Sequence, residues 1–242
     1  MEVHHHSHSA RKKWTHYLWE FLMLFLAVFC GFLAENQREH YVEHQREKQY
    51  MRSLVADLQT DTANIRQANT WFEKISSACD TLMRNYEQFM GNASPETHRS
   101  FQFILAGYPD FVYTDRTIQQ LKNSGGLRLV RDHDVSDSIV AYDANIRDMV
   151  IEESAITLFY DRLHELAARN FNFRELDEQQ NNPGSVAGIV HWLTTNVQDK
   201  EQFYNILRVY TSTLNSYIRY RKRLLNKAAR LIGLLNKNYH LD

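Results

Sequence analysis

The sequence predicts an all-α protein in which one N-terminal transmembrane helix continues into an elongated antiparallel helical bundle. Three observations predict it. Glycine (8) and proline (3) are scarce among 242 residues; helix interiors exclude both, whereas strands and tight turns need them. An uncharged apolar run, FLMLFLAVFCGFLA, fills 21–34. Beyond it, three long stretches repeat apolar residues at steps of three and four, the period of a helix with one buried face.

The apolar run is too short by itself for a bilayer, which needs about 20 residues. Extended back to Trp14 it reaches that length. Trp14, Tyr17 and Trp19 then stand where an aromatic belt forms, with Arg11, Lys12 and Lys13 flanking them. A cleaved signal peptide shares the basic start and short apolar core. Against it, no small-x-small site follows, and Phe29 before Cys30 spoils a lipoprotein-type site. A buried core helix is the other alternative. Three basic residues precede the segment and Arg38 follows soon after it, a bias that places the N-terminus in the cytoplasm and residues 35–242 outside. The bias disappears when Arg46, Lys48 and Arg52 are counted.

Glu20 is the one carboxylate in this span. In hydrocarbon it needs a partner, a proton or a path to the headgroups. One reading is an interfacial glutamate; the other is a contact within the membrane, shared with His16 one turn earlier. Upstream, residues 1–13 form a basic tail with His4, His5, His6 and His8. Metal capture and an unstructured tail are both open for it.

From Glu35 to Met90 there is neither glycine nor proline. Residues 35–50 are nearly all polar and read as a charged helical stalk. The domain proper is expected at 51–242. Its first stripe is Met51, Leu54, Leu58, Ile65, Ala68, Phe72, Ile75, Cys79, Leu82, Tyr86 and Phe89, with heptad-like spacing. Gly91 to Pro95 ends this helix, and Ser94 with Pro95 begins a short one that reaches about Ala106. Another short helix is expected over 115–123, closed by Gly125 and Gly126. A second long helix runs from Asp134 to about Asn170 on Val135, Ile139, Tyr142, Ile146, Met149, Ile156, Leu163 and Leu166. A short helix over 186–196 leads into the last, about 199–238. Its stripe is Phe203, Leu207, Tyr210, Leu214, Tyr217, Leu224, Ala228, Leu231 and Leu235. The three long helices should pack together with the short ones covering the ends. The last helix carries Arg219, Arg221, Lys222, Arg223, Lys227 and Arg230 on what reads as its outer face. That face is either solvated or meets anionic lipid or an acidic partner.

With 28 basic and 29 acidic residues, the chain has no charge excess to match nucleic acid. It contains no phosphate loop, dinucleotide fingerprint, nucleophile elbow or zinc-protease helix. A di-iron bundle needs two Glu-x-x-His pairs with further glutamates; Asp161-x-x-His164 and the Asp132, His133, Asp134 cluster are the nearest approach. Cys79 falls on a core position and reads as a small apolar residue. No catalytic residue, cofactor or metal site is therefore expected. The most distinctive stretch outside the apolar run is LKNSGGLRLV, 121–130. Asn123, Ser124, Gly125, Gly126, Leu127 and Arg128 form either a recognition loop or the corner that locks two helices.

Two segments, WEFLMLFLAVFCGFLAENQREH (19–40) and LKNSGGLRLV (121–130), together with the histidine-rich start, resemble a family of uncharacterised single-pass membrane proteins common in Bacteroidota. These have a basic start, one N-terminal helix and a helical domain of unknown function, and the resemblance covers most of the chain. It implies an envelope location in a Gram-negative cell and supplies no catalytic residues. The expected role is a membrane-anchored structural or interaction protein, a scaffold or accessory subunit of an envelope complex. Its partners would be the bilayer and other envelope proteins or further copies of itself. An extracytoplasmic sensor working through a membrane partner is the alternative. An enzyme with an unrecognised site and a homo-oligomeric pore are further classes.

Overall fold

A computed structural model describes residues 14–91, 94–109, 111–174 and 191–241. The histidine-rich tail and residues 175–190 of the last connection lie outside them. Among the described residues there are six α-helices, one 3-10 turn and no strand. The helices are α1 (Trp14–Arg84), α2 (Tyr86–Met90), α3 (Pro95–Leu105), α4 (Arg116–Asn123), α5 (His133–Asn170) and α6 (Val197–Tyr239), with the 3-10 turn at Gly126–Leu129. The chain divides into two compact units, Met1–Gln49 and Tyr50–Asp242, and α1 contributes to both.

In the first unit, every residue from Trp14 to Glu35 is exposed. The large apolar side chains of the span keep between 39% (Leu22) and 78% (Trp14) of their surface uncovered. Among the described residues α1 is the one helix long and apolar enough to cross a membrane.

The second unit is built on the expected stripes. All stripe residues of α5 and α6 are buried, and so are those of α1 from Met51 to Leu82. Each large apolar side chain so covered contributes roughly 1.5–3 kcal/mol. Helix ends follow local chemistry. The Ser94 hydroxyl accepts from the Thr97 amide (3.3 Å) ahead of Pro95 at the first helical position. Asp132 caps α5 by accepting from the Asp134 and Val135 amides. Asn196 caps α6.

Cross-helix contacts fix the directions. Ser76 of α1 donates to Asn215 of α6 (2.7 Å), and Lys222 of α6 pairs with Glu73 of α1 (2.7 Å), so these helices are antiparallel. Asn238 near the end of α6 reaches Asp132 at the start of α5 (2.5 Å), so α5 and α6 are antiparallel too. Helices α1 and α5 run parallel: Tyr142 meets Asp61 at one end, and Phe89, just past α1, meets Phe171 at the other.

Two parallel helices need a return path, and the short elements supply it. The expectation that they cover the bundle ends is corrected in part: α2 and α3 place Phe89 and Phe101 together at one end, but the chain that follows runs alongside α1. The Phe103 ring packs at a tilt against Trp71 (5.0 Å), and the Trp71 indole donates to the Gly107 carbonyl (2.7 Å). The Thr114 amide then donates to Asp61 (2.9 Å) and the Thr117 amide to Asp57 (3.2 Å). As the chain advances from 103 to 117 it descends α1 from Trp71 to Asp57. This is a fourth limb, giving up-down-up-down order. It is broken because Gly107 adopts φ +90 and Pro109 cannot donate to a helix.

A second correction concerns 186–196. Residues 186–190 lie outside the described ones, and residues 191–196 are not helical. Instead Trp192 forms an isolated antiparallel bridge with Phe171. Its ring packs 4.1 Å from Phe171, and its indole donates to the Phe89 carbonyl (3.0 Å). With Phe101 and Phe203 these rings close one end of the bundle.

Candidate functional site

At the other end the bundle is tied by buried aspartates. Asp57 accepts from the Thr117 amide, the Thr117 hydroxyl (2.5 Å) and Arg116 Nε (2.7 Å). Asp61 accepts from the Thr114 amide and Tyr142 hydroxyl, and burial raises its pKa from its ordinary value. Asp143 accepts from Tyr113 (3.3 Å) and lies against Lys122 and Arg147. Each carboxylate binds the broken limb to α1 or α5 through groups that would otherwise be unpaired in the interior. This arrangement pins the fold.

Arg221 departs from expectation. It belongs not to the outer face of α6 but to the bundle interior, with no exposed surface. Its Nε donates to Asn69 Oδ1 (2.8 Å), Nη1 to the Tyr217 hydroxyl (3.0 Å) and Nη2 to the Ile65 carbonyl (3.4 Å). The rings of Phe72, Tyr217 and Phe111 stand 5.2, 5.2 and 5.5 Å from its guanidinium. Sequence reasoning missed Asp61 and Arg221 although a signal was present. The first stripe jumps from Leu58 to Ile65 and the last from Tyr217 to Leu224; the skipped core positions hold these two residues. The middle stripe jumps from Met149 to Ile156 around half-buried Glu153, whose charge acts on Tyr217.

The residues singled out from sequence fall in two places. His16 Nε2 and Glu20 Oε1 are 3.4 Å apart on one exposed face of α1. Spacings of four, seven, four and three residues put Ala27, Gly31 and Ala34 on that same face. Phe21, Phe25 and Phe29 follow each other at one-turn intervals elsewhere on the helix, their rings stacked 6.4 and 5.9 Å apart. The span thus carries its polar residues and its small ones on one side, with Met23 among them, and its phenylalanines on the other.

The stretch 123–128 forms the corner after α4. Asn123, Ser124 and Arg128 are exposed, Gly126 is buried and Leu127 packs against the core. Gly125 sits at φ +69, where a side chain would also approach Arg128 Nη2 to 3.0 Å. A Cβ on Gly126 would meet Leu121 at 3.1 Å.

The structure places three of the residues weighed for chemistry. Asp132 is a helix cap. The His164 ring lies 4.2 Å from Tyr160, and burial lowers its pKa, favouring neutral imidazole. Burial pushes the Cys79 thiol up to about 12, which keeps it protonated and a poor nucleophile. Among the described residues no three His, Cys, Asp or Glu side chains gather as a metal group. No protein-family model, curated protein or solved structure matches the chain.

Proposed function

We propose that this chain is a membrane-anchored structural and interaction protein, a scaffold or accessory subunit of a cell-envelope complex. The observation that carries the reading is the complete exposure of an apolar span, 14–34, on a helix whose later turns are packed into a bundle. Apolar surface on all sides of a helix calls for an apolar solvent. The basic residues ahead of Trp14 favour a bacterial inner membrane with the N-terminus cytoplasmic and the bundle periplasmic. The likeness to single-pass Bacteroidota proteins agrees with that location. Lipid covers the aromatic side of the span. The side bearing His16, Glu20, Ala27, Gly31 and Ala34 meets another transmembrane helix, because small residues allow close approach and polar groups find partners there. The bundle and the 123–128 corner offer further surface to envelope partners, and no catalytic role is assigned.

The test is the native mass of the protein after gentle extraction from its own membranes, with each co-migrating chain identified. Other chains at fixed ratio, released by Glu20→Ala, are the expected result. A lone monomer contradicts the scaffold reading, and unchanged association in Glu20→Ala returns this carboxylate to the headgroup interface.

A further inference from the structure

A trough opens between α5 and α6 close to the end of the bundle where Asp132 meets Asn238. Its volume is about 360 Å³, within the range of small-ligand sites. On its α5 side it is lined by Ser138, Ala141 and Tyr142, and the two small residues, one turn apart, leave the seam open. Helix α6 contributes Leu231 and Leu234 as an apolar lining, and Lys227 and Arg230 as two exposed cations on the same side.

The two cations differ in their surroundings from four basic residues of the bundle that meet a carboxylate. Lys222 pairs with Glu73, and Lys122, Arg116 and Arg147 each pair with a buried aspartate. Among the described residues no ion pair engages Lys227 or Arg230; Lys227 Nζ instead donates to the neutral Asn145 Oδ1 (2.7 Å). No carboxylate lines the trough. Two cations three residues apart on one helix border the same trough, a spacing that suits one anionic head. The leucines beside them suit an alkyl chain.

We infer that this trough binds one anionic phospholipid, its phosphate held between Lys227 and Arg230 and the start of an acyl chain laid over Leu231 and Leu234. The membrane reading supplies only the source of the lipid; the site itself stands on the bundle.

The experiment is native mass spectrometry of the full chain in non-ionic detergent, titrated with palmitoyl lysophosphatidylglycerol. Lysophosphatidylcholine and inorganic phosphate serve as comparisons. Wild type should retain one anionic lipid and bind lysophosphatidylcholine at least about tenfold more weakly. Lys227→Gln/Arg230→Gln, which alters exposed side chains only, should weaken retention by at least about tenfold. Ala141→Trp, which fills the trough, should do the same, and Arg99→Gln on α3 should not. Retention unchanged in the double variant overturns the proposal, as does equal binding of the two lysolipids. Displacement of the lipid by an equal concentration of inorganic phosphate also overturns it, in favour of a free-phosphate site. Because binding is read in detergent, a chain that proves not to reside in a membrane leaves this result interpretable.

Discussion

Within α1, residues 21–34 are apolar on every side and all exposed, whereas residues 51–82 are apolar at steps of three and four and those positions are buried. The backbone is the same in both stretches. The difference lies in where the covering surface comes from. A stripe is satisfied by neighbouring helices of the same chain, and here α5, α6 and the broken fourth limb supply them. The apolar circumference of 21–34 is left uncovered by the described residues of the chain.

The comparison breaks most visibly at matched phenylalanines. Phe89 lies among Phe101, Phe171, Trp192 and Phe203. Phe89→Ala should cost about 3–5 kcal/mol of bundle stability, read as a lowered melting temperature by circular dichroism. Phe25→Ala in the span should leave that transition within about 0.5 kcal/mol of wild type. Equal losses at both sites would mean that the span is packed into the fold.

Glycines give a smaller contrast. Gly125→Ala forces a side chain into the left-handed region beside Arg128 and should cost about 1–2 kcal/mol in the same melt. Gly31 has nothing within 4 Å of an added Cβ, so Gly31→Ala should leave bundle stability unchanged.

The weakest expected effect sharpens the bundle side and depends on pH. Burial raises the Asp61 pKa above its ordinary 3.8, so the folded chain holds this proton more tightly than the unfolded chain. The stability it confers is complete below 3.8 and is lost as pH rises through the raised folded value. Asp61→Asn should therefore melt higher than wild type at neutral pH, with the gap closing below pH 3.8. A gap of constant size across pH would show that the carboxylate stays ionised in the folded state.

The long elements were legible because their stripes are regular. Helices α3, α4, α5 and α6 begin and end within about two residues of where Ser94, Pro95, Gly125, Asn170 and the last stripe place them. The path of the short elements was not legible. Gly107, Pro109 and the following extended residues look like a connection in sequence, and only the carboxylates of Asp57 and Asp61, one turn apart on α1, show that this connection is a bundle limb. Arg221 was misplaced for a related reason. Cations at 219, 222, 223, 227 and 230 make a basic run look uniformly exposed, although the missing core residue between Tyr217 and Leu224 marks 221 as interior. The 123–128 stretch was recognisable as a corner from its paired glycines, and its exposed Asn123, Ser124 and Arg128 carry no chemistry that would name a partner. In the trough, Lys227 and Arg230 were visible as charges, but the small residues of α5 that open the seam belong to a different helix, and no periodicity within one helix reports on its neighbour.

The most direct test of the central claim is where the full chain goes when its native membranes are washed at alkaline pH, combined with protease added from the periplasmic side. The account predicts that the protein stays in the membrane pellet and that the external protease removes the bundle while sparing the span. Release of the intact protein into the wash would contradict it.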